Sequence, residues 1–524
     1  MAIDTLDPAR LGPLAAARAG LVARLTAATG PNGLLHAPCA GRPWETALTL
    51  HLLTATGAAP ALGAGPADRL REALARGGAD PVQTAAARAA LGGPAAGGDP
   101  VAELPGTAAP RDLLALRLLL ADLGAGPLPG PPDSAAGFGG RGESARQAVE
   151  TAALRVLHAA RSGAARPVGA ADRRVLAPAA EPGPPPFADH SLRLLALLAL
   201  RHCPESLPAV RARAAELGRR AAADGGLPPV TGADVLATAA GGLALAAADA
   251  PAATLRPPAR ALAEHRLPDG GWPSTPGAGQ SGVEDTAYAV AFLRAVADRV
   301  RSEPLTGALA DGERYLLESR NRDGGFPAHP RGDSDPAVTA GAVAALAGNP
   351  EHRAAVRDAV RFLAERQLAA PAVERRRSLA EGALLSRAVL AHEALERSGG
   401  GAAAQVSALA AQARAQSLGR LLDTQRPDGG WGHTPDRPSD PVSTGYALIA
   451  LGRHPAGRGP ARRALRHLLT HRAPAAPDRT VPGPLPHDVP LLADITALTA
   501  LNRAAALFPT DLPSPRDHTP PHLP

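Results

Sequence analysis

Asp269-Gly270-Gly271-Trp272…Val283-Glu284-Asp285-Thr286 is the stretch on which the reading of this chain turns. It is one of four segments that share a Gly-rich turn, a variable loop and a Thr-Ala or Thr-Gly step into an apolar run. The others are Asp224-Gly225-Gly226-Leu227…Asp234…Thr238, Asp323-Gly324-Gly325-Phe326…Asp335…Thr339 and Asp428-Gly429-Gly430-Trp431…Asp440…Thr444. In those three an Asp stands four residues before the Thr. In the 269–286 segment that place is Gly282, and two carboxylates stand directly before the Thr instead. A repeat scaffold accounts for Asp234, Asp335 and Asp440 but not for Glu284 and Asp285. That pair is therefore the first candidate for chemistry.

Between the turns, Ala- and Leu-rich segments carry charges at three- and four-residue spacing, as in Arg357-Asp358…Arg361-Phe362-Leu363…Arg366, which predicts helices. Period-two alternation is nearly absent, so the expected class is all-α. The turns at 224, 269, 323 and 428 are roughly 45, 54 and 105 residues apart. The double-length last step predicts a copy without its turn across Ser378-Leu379-Ala380-Glu381…Ser386-Arg387-Ala388-Val389-Leu390. Further copies read at Pro31-Asn32-Gly33-Leu34…Trp44-Glu45-Thr46-Ala47 and at Pro486-His487-Asp488…Asp494-Ile495-Thr496-Ala497. Helix pairs of this size bury their apolar faces only by stacking. About six pairs per half predict closed rings rather than an open solenoid. The expected organisation is a first α/α-barrel over 1–250, a second over 251–508 carrying the acid pair, and a Pro-rich disordered tail over 509–524. The boundary is set at Asp249-Ala250-Pro251, and Pro/Gly-rich stretches near 94–110, 124–143 and 163–187 read as long loops.

At 524 residues the chain is long enough for two cores. Two cysteines, Cys39 and Cys203, exclude a disulfide framework or a cysteine-rich zinc site. The first residues lack the basic and apolar regions of a signal peptide, so a cytoplasmic location is expected. The longest apolar run, Leu192 to Leu200, is interrupted by Arg193 and too short to span a bilayer. All 55 basic residues are arginine, yet the net charge is only +6 and no basic run is interleaved with aromatics, which argues against nucleic-acid binding. Eight of the 12 aromatics lie between Trp272 and Tyr446, so the second half is where a cation-tolerant cavity is expected.

Gln425-Arg426-Pro427-Asp428-Gly429-Gly430-Trp431 fits the Q-x-x-x-G-x-W signature of the squalene-cyclase and prenyltransferase repeat, with Arg266 and Arg320 in the Gln place of two other copies. From Trp44 to about Ala505 the chain resembles bacterial class II diterpene cyclases. The resemblance implies two α/α-barrels, γ-like and β-like, with a cavity between them. It also implies protonation of a linear isoprenoid diphosphate, geranylgeranyl or farnesyl, with the diphosphate retained. The family's D-x-D-D or D-x-D-T-T motif falls on Gly282-Val283-Glu284-Asp285-Thr286. Glu284 takes the proton donor's place, Asp285 the following one, and Gly282 stands where the family's first Asp would be. An aromatic-rich stretch of the family reads Arg375-Arg376-Arg377-Ser378-Leu379-Ala380-Glu381 here, and a class I D-D-x-x-D motif is absent.

Protonating an alkene needs a carboxylic acid that stays neutral in a dry cavity. A free Glu ionises at about pH 4.3, so burial and a second carboxylate are required to hold its proton, and Glu284 and Asp285 are adjacent carboxylates that could share one. Glu for Asp also lengthens the arm by about 1.5 Å. Candidate aromatic faces for the cation are Trp272, Tyr288, Phe292, Phe326, Trp431 and Tyr446, each contributing roughly 0.5–2 kcal/mol when desolvated. Tyr288 and Phe292 are four apart and share a helix face. Diphosphate binding falls to arginines, with Mg²⁺ entering through the substrate. Against these stand plainer roles: Asp285 as a helix N-cap, Glu284 as a solvated residue, and Trp272, Phe326 and Trp431 as repeat staples. Asp335, in Asp333-Ser334-Asp335-Pro336, is the alternative acid, although it occupies the scaffold place. His265, His329 and His433 lack zinc-ligand spacing, which argues against a protein prenyltransferase β-subunit. Two other readings compete: a ring that lost catalysis and serves as a binding or partner module, and a cyclase of diphosphate-free substrates such as squalene, for which the chain is short.

Overall fold

A computed structural model of the chain describes residues 12–508 apart from 78–79, 95–97, 105–109, 132–144, 165–166, 184–187, 223, 370–377, 398–403, 453, 455–456, 471–484 and 486. The tail over 509–524 and Arg375–Arg377 lie outside the described residues. Among the described residues there are 21 α-helices and no β-strand, only isolated bridges. Helix α1 (Pro13–Ala27) precedes a smaller lobe of α2 (Pro43–Thr56), α3 (Ala59–Leu62), α4 (Ala64–Ala75), α5 (Pro81–Ala90), α6 (Pro110–Asp122), α7 (Ala145–Arg161), α8 (Ala170–Leu176), α9 (His190–Leu200) and α10 (Leu207–Arg219). The larger lobe continues with α11 (Asp234–Ala247), α12 (Ala252–His265), α13 (Val283–Val296), α14 (Glu303–Ser319), α15 (Pro336–Leu346) and α16 (Arg353–Ala369). It ends with α17 (Glu381–Arg397), α18 (Ala404–Asp423), α19 (Pro441–Leu451), α20 (Arg458–Thr470) and α21 (Pro490–Leu507).

In the larger lobe α11, α13, α15, α17, α19 and α21 pack in that order, and α21 returns to α11, closing the ring. Each inner helix carries an outer partner: α12, α14, α16, α18 and α20 follow their own inner helices, and α1 covers α21. The sequence explains which helices go inside. Helix α11 is apolar around nearly its whole circumference and buried from Val235 to Ala246 except at half-buried Leu243, as a helix surrounded by protein must be. Helix α20 buries only Ala461, Ala464, Leu465 and His467 and turns its arginines outward. The turnless copy read at Ser378–Leu390 supplies α17, a full member of the ring.

The Gly-rich turns fasten one inner helix to the next. At Gly270 the backbone has φ +91°, a region that favours glycine. The N–H of Gly271 donates to Asp269 Oδ1 at 3.0 Å, and Ser281 Oγ donates to the same oxygen at 2.7 Å. The N–H of Trp272 then donates to Thr286 Oγ1 at 3.0 Å, which seats the start of α13. Phe326 with Thr339 (2.8 Å) and Trp431 with Thr444 (3.0 Å) repeat the bond.

Three expectations are corrected. The segment 224–238 is not one repeat copy, because Leu227 N–H donates to Thr46 Oγ1 (2.9 Å) while Thr238 accepts from Leu35 N–H (2.8 Å). The smaller lobe is thus inserted between a turn near 30–35 and the helix it seats. For the same reason the lobes do not divide near residue 250: one core joins Leu14–Cys39 to Ala233–Phe508, and the other runs from Trp44 to Leu227 with Leu485 added. Finally, the stretch 163–187 read as a loop contains α8. Both cysteines are free and buried, and among the described residues no helix is long and apolar enough to cross a membrane.

Candidate active site

Two adjoining chambers form a hollow where the lobes meet, the first lined from both lobes and the second from the larger lobe. The larger, of about 150 Å³, has Arg146 and Asp189 on its smaller-lobe side and Gly282, Glu284 and Asp285 on its larger-lobe side. The second, of about 80 Å³, is bounded by Tyr288, Arg387, Tyr446 and Asp488. Leu236, His487, Val489 and Leu492 are common to both walls.

The first turn of α13 delivers the acid pair to this hollow. Val283 N–H donates to Ala328 O at 3.0 Å and Thr286 Oγ1 donates to Gly282 O at 2.7 Å, which fixes the helix start. Glu284 is 3% exposed and faces α17, where Arg387 Nη1 donates to its Oε1 at 2.7 Å. Arg387 Nη2 also donates to Tyr288 Oη at 3.3 Å, and the guanidinium lies 5.8 Å from the Tyr288 ring centre. Burial works against the charge on Arg387, but Tyr288, Glu284 and Tyr446 outweigh it and raise the group above its ordinary value. The ion pair favours the charged forms of both partners. Asp285 is half-buried and folds back over Gly282, where a side-chain carbon would overlap its Oδ2.

Of the six candidate aromatics, Tyr288 and Tyr446 reach the hollow. The other four lie in the core. Trp272 is fully buried, with Nε1 donating to Leu262 O at 2.7 Å, and Trp431 repeats this with Leu421 O at 2.9 Å. Phe326 is fully buried, and Phe292 fills the space that a side chain at Gly242 would need. The shared face of Tyr288 and Phe292 therefore splits: one ring meets cavity, the other core. Asp335 accepts from Ala337 N–H (2.8 Å) and Val338 N–H (3.2 Å), capping α15. His329 lines the hollow with Nδ1 3.1 Å from Ser281 O, whereas His265 lies 2.8 Å from Ala261 O and His433 lies 3.9 Å from Asp440 Oδ2.

Sequence reasoning passed over Arg387, Asp488, Arg146 and Asp189. Arg387 was visible as the one charge inside the apolar run Ala383–Leu390, and Asp488 as the acid of the final repeat copy. Arg146 Nη2 donates to Asp189 Oδ2 at 2.9 Å across two elements of the smaller lobe, a pairing that no local pattern announces. Burial pushes the Asp488 carboxyl above its ordinary range. Among the described residues no group of three or more His, Cys, Asp or Glu side chains is arranged to hold a metal ion.

Comparison with known proteins agrees with this architecture. Residues 195–375 match the prenyltransferase alpha-alpha toroid domain. The ent-copalyl diphosphate synthase from Streptomyces platensis superimposes with a TM-score of 0.55 over 94% of this chain and 100% of that one; at 20% identity this likeness concerns the fold. The drimenyl diphosphate synthase of Streptomyces showdoensis is 41% identical, covering 96% of this chain and 97% of its own. That of Streptantibioticus cattleyicolor is 40% identical, covering 97% and 98%. The chain belongs to the class II terpene cyclases, in the family of the drimenyl diphosphate synthases. It is an enzyme, an intramolecular isomerase that begins by protonating an alkene.

Proposed function

We propose that this cyclase closes farnesyl diphosphate to drimenyl diphosphate in the hollow between its lobes, with Glu284 and Asp285 supplying the proton as a pair. The observation that carries the reading is a carboxylate buried on the hollow's wall at the repeat copy that departs from its sisters. Both relatives are named for drimenyl diphosphate, a C15 bicycle, and a C15 product with its diphosphate intact comes from a C15 linear diphosphate. Geranylgeranyl diphosphate is the longer competitor.

Arg387 decides how the pair works. It favours the carboxylate form of Glu284, so on this reading the proton is carried by Asp285, whose carboxyl folds back over Gly282 on the first turn of the same helix. Adding that proton to the terminal alkene leaves a tertiary cation. The next two π bonds close two rings, and the tyrosine faces of the second chamber lie where positive charge develops. The diphosphate takes no covalent part. Arg146, on the opposite wall, is the cation we assign to it. Mg²⁺ is proposed as a counter-ion carried in by the diphosphate.

The test is direct. Purified enzyme is incubated with farnesyl or geranylgeranyl diphosphate across a Mg²⁺ titration, and the products are dephosphorylated and separated by GC–MS. Drimenol from farnesyl diphosphate is expected; linear alcohols alone from both substrates would sink the proposal.

A further inference from the structure

A cyclisation begun by adding a proton to one alkene must end by removing a proton from carbon or by adding water. The carboxylates nearest the start are already engaged: Glu284 accepts from Arg387 and Asp189 from Arg146. Asp488 is different. It sits in the turn leading into α21 and lines the second chamber with Tyr288 and Tyr446. Its backbone is anchored, Asp488 O accepting from Ala40 N–H at 2.8 Å in the segment that joins the lobes. No described residue donates to its side chain. Burial is the influence acting on that carboxyl, and it raises the group, which makes its carboxylate a stronger base than one held by an arginine.

Position points the same way. The donor pair stands in one chamber and Asp488 in the next, across a wall formed by Leu236, His487, Val489 and Leu492. The first protonated carbon and the last cationic carbon of a bicycle are likewise separated by the ring system between them.

We infer that Asp488 is the base that ends the reaction. Its carboxylate takes a proton from a carbon next to the final cationic centre. The C–H electron pair becomes the ring C=C, and the proton becomes the Asp488 O–H, released to solvent once the product leaves. The inference rests on the cyclase reading of the hollow and adds a second, opposite proton transfer to it; over one turnover, protons balance.

Wild-type, Asp488→Asn and Asp488→Glu enzymes are to be incubated with farnesyl diphosphate in H₂O and in D₂O, with thermal unfolding as the check on folding. If the wild type yields only farnesol, the cyclase reading itself falls, whatever Asp488 does. If the wild type gives a bicyclic olefin carrying one deuterium, the variants decide. Asp488→Asn is expected to take up deuterium and close both rings. Its ratio of olefin to water-quenched diol should fall about tenfold or more, as when a general base is removed. Asp488→Glu should restore the olefin with a shifted double-bond isomer ratio. An unchanged product spectrum in the Asn variant overturns the inference. Loss of every cyclised product from a folded Asn variant also overturns it, since Asp488 would then serve the first step. Should the Asn variant not fold, an unshifted isomer ratio in the Glu variant overturns it.

Discussion

The repeat copies that open α13 and α15 put their carboxylate in different places. In the α15 copy Asp335 caps the helix, and Asp440 does the same for α19 by accepting from Val442 and Ser443 N–H, both at 2.9 Å. In the α13 copy that residue is Gly282, whose φ of −105° any amino acid can adopt. Glycine is therefore there for space: the Asp285 carboxylate fills the volume where the cap side chain would begin. The loop is also one residue longer, with Trp272 bonding 14 residues ahead where Phe326 and Trp431 bond 13 ahead. Everything else is kept, from the serine on the turn aspartate to the threonine under the aromatic N–H. The difference shows how a scaffold acquires chemistry. The acid stands three residues further along the chain, and the residue before it faces the hollow, with the fastening bonds kept.

Removing the displaced acids should give the largest effect. Glu284→Gln and Asp285→Asn are each expected to lower cyclisation by about 10²–10⁴-fold, the usual contribution of a positioned acid. Asp335→Asn should leave turnover within about twofold of wild type, being outside the proton path. Initial rates on farnesyl diphosphate, with circular dichroism to check the helices, separate the two classes. Equal losses at 284 and 335 would erase the contrast between the copies.

Arg387→Met should come next. It strands a buried carboxylate, and breaking a buried pair from one side costs about 3–5 kcal/mol. Urea unfolding should record that loss, and adding Glu284→Gln should recover more than half of it, since the neutral amide no longer needs a cation. A double variant as unstable as the single one would mean that the guanidinium supports the wall by packing on Tyr288 rather than by charge.

How much of this could be read from the chain follows from how far each interaction reaches. The ring was legible because its signals are local: glycine at a left-handed turn, threonine at a helix start, apolar runs at helical spacing. The acid pair was legible for the same reason, since its departure from the sister copies lies within five residues. The staple role of Trp272, Phe326 and Trp431 was legible from the turns they close, whereas Phe292 was offered to the cavity because a helix face has no label saying whether it meets core or cavity. Phe292 goes to core because Gly242 makes room for it 50 residues earlier. The pairing of Arg387 was hidden because its partner lies 103 residues away on another inner helix. The lobe boundary escaped because a turn near residue 33 serves a threonine at 238, a pairing visible only once the ring has closed.

Reciprocal substitutions at the cap sharpen the comparison further. Gly282→Ala forces a methyl group into the place of the Asp285 carboxylate, so overpacking of about 1–3 kcal/mol is expected together with a loss of cyclisation. Asp335→Ala and Asp440→Ala should each cost about 0.5–2 kcal/mol, the worth of a cap, with activity retained. Stability and rate should therefore fall together at 282 and separately at 335 and 440. A Gly282→Ala enzyme of full activity would mean that Asp285 does not need its folded-back position.

The smallest effect belongs to the turn that both kinds of copy share. Burial pushes the Asp428 carboxyl up, but the Gly430 N–H at 3.0 Å and the Ser439 hydroxyl at 2.8 Å outweigh it, with His467 and Arg426 adding to them. The net result holds Asp428 below its ordinary value of 3.8. Because the folded state lowers this group, its stabilisation is present above that value and disappears as pH falls through the lower folded one. The side chain is 42% exposed, so solvent screening keeps the contribution below about 1 kcal/mol. Asp428→Asn should then reduce stability by a constant amount above about pH 5, and the gap to wild type should close below about pH 4. Urea midpoints across that range measure it. A gap that persists into acid would assign the bond to the shape of the turn rather than to charge, and the turn would be pure scaffold in every copy.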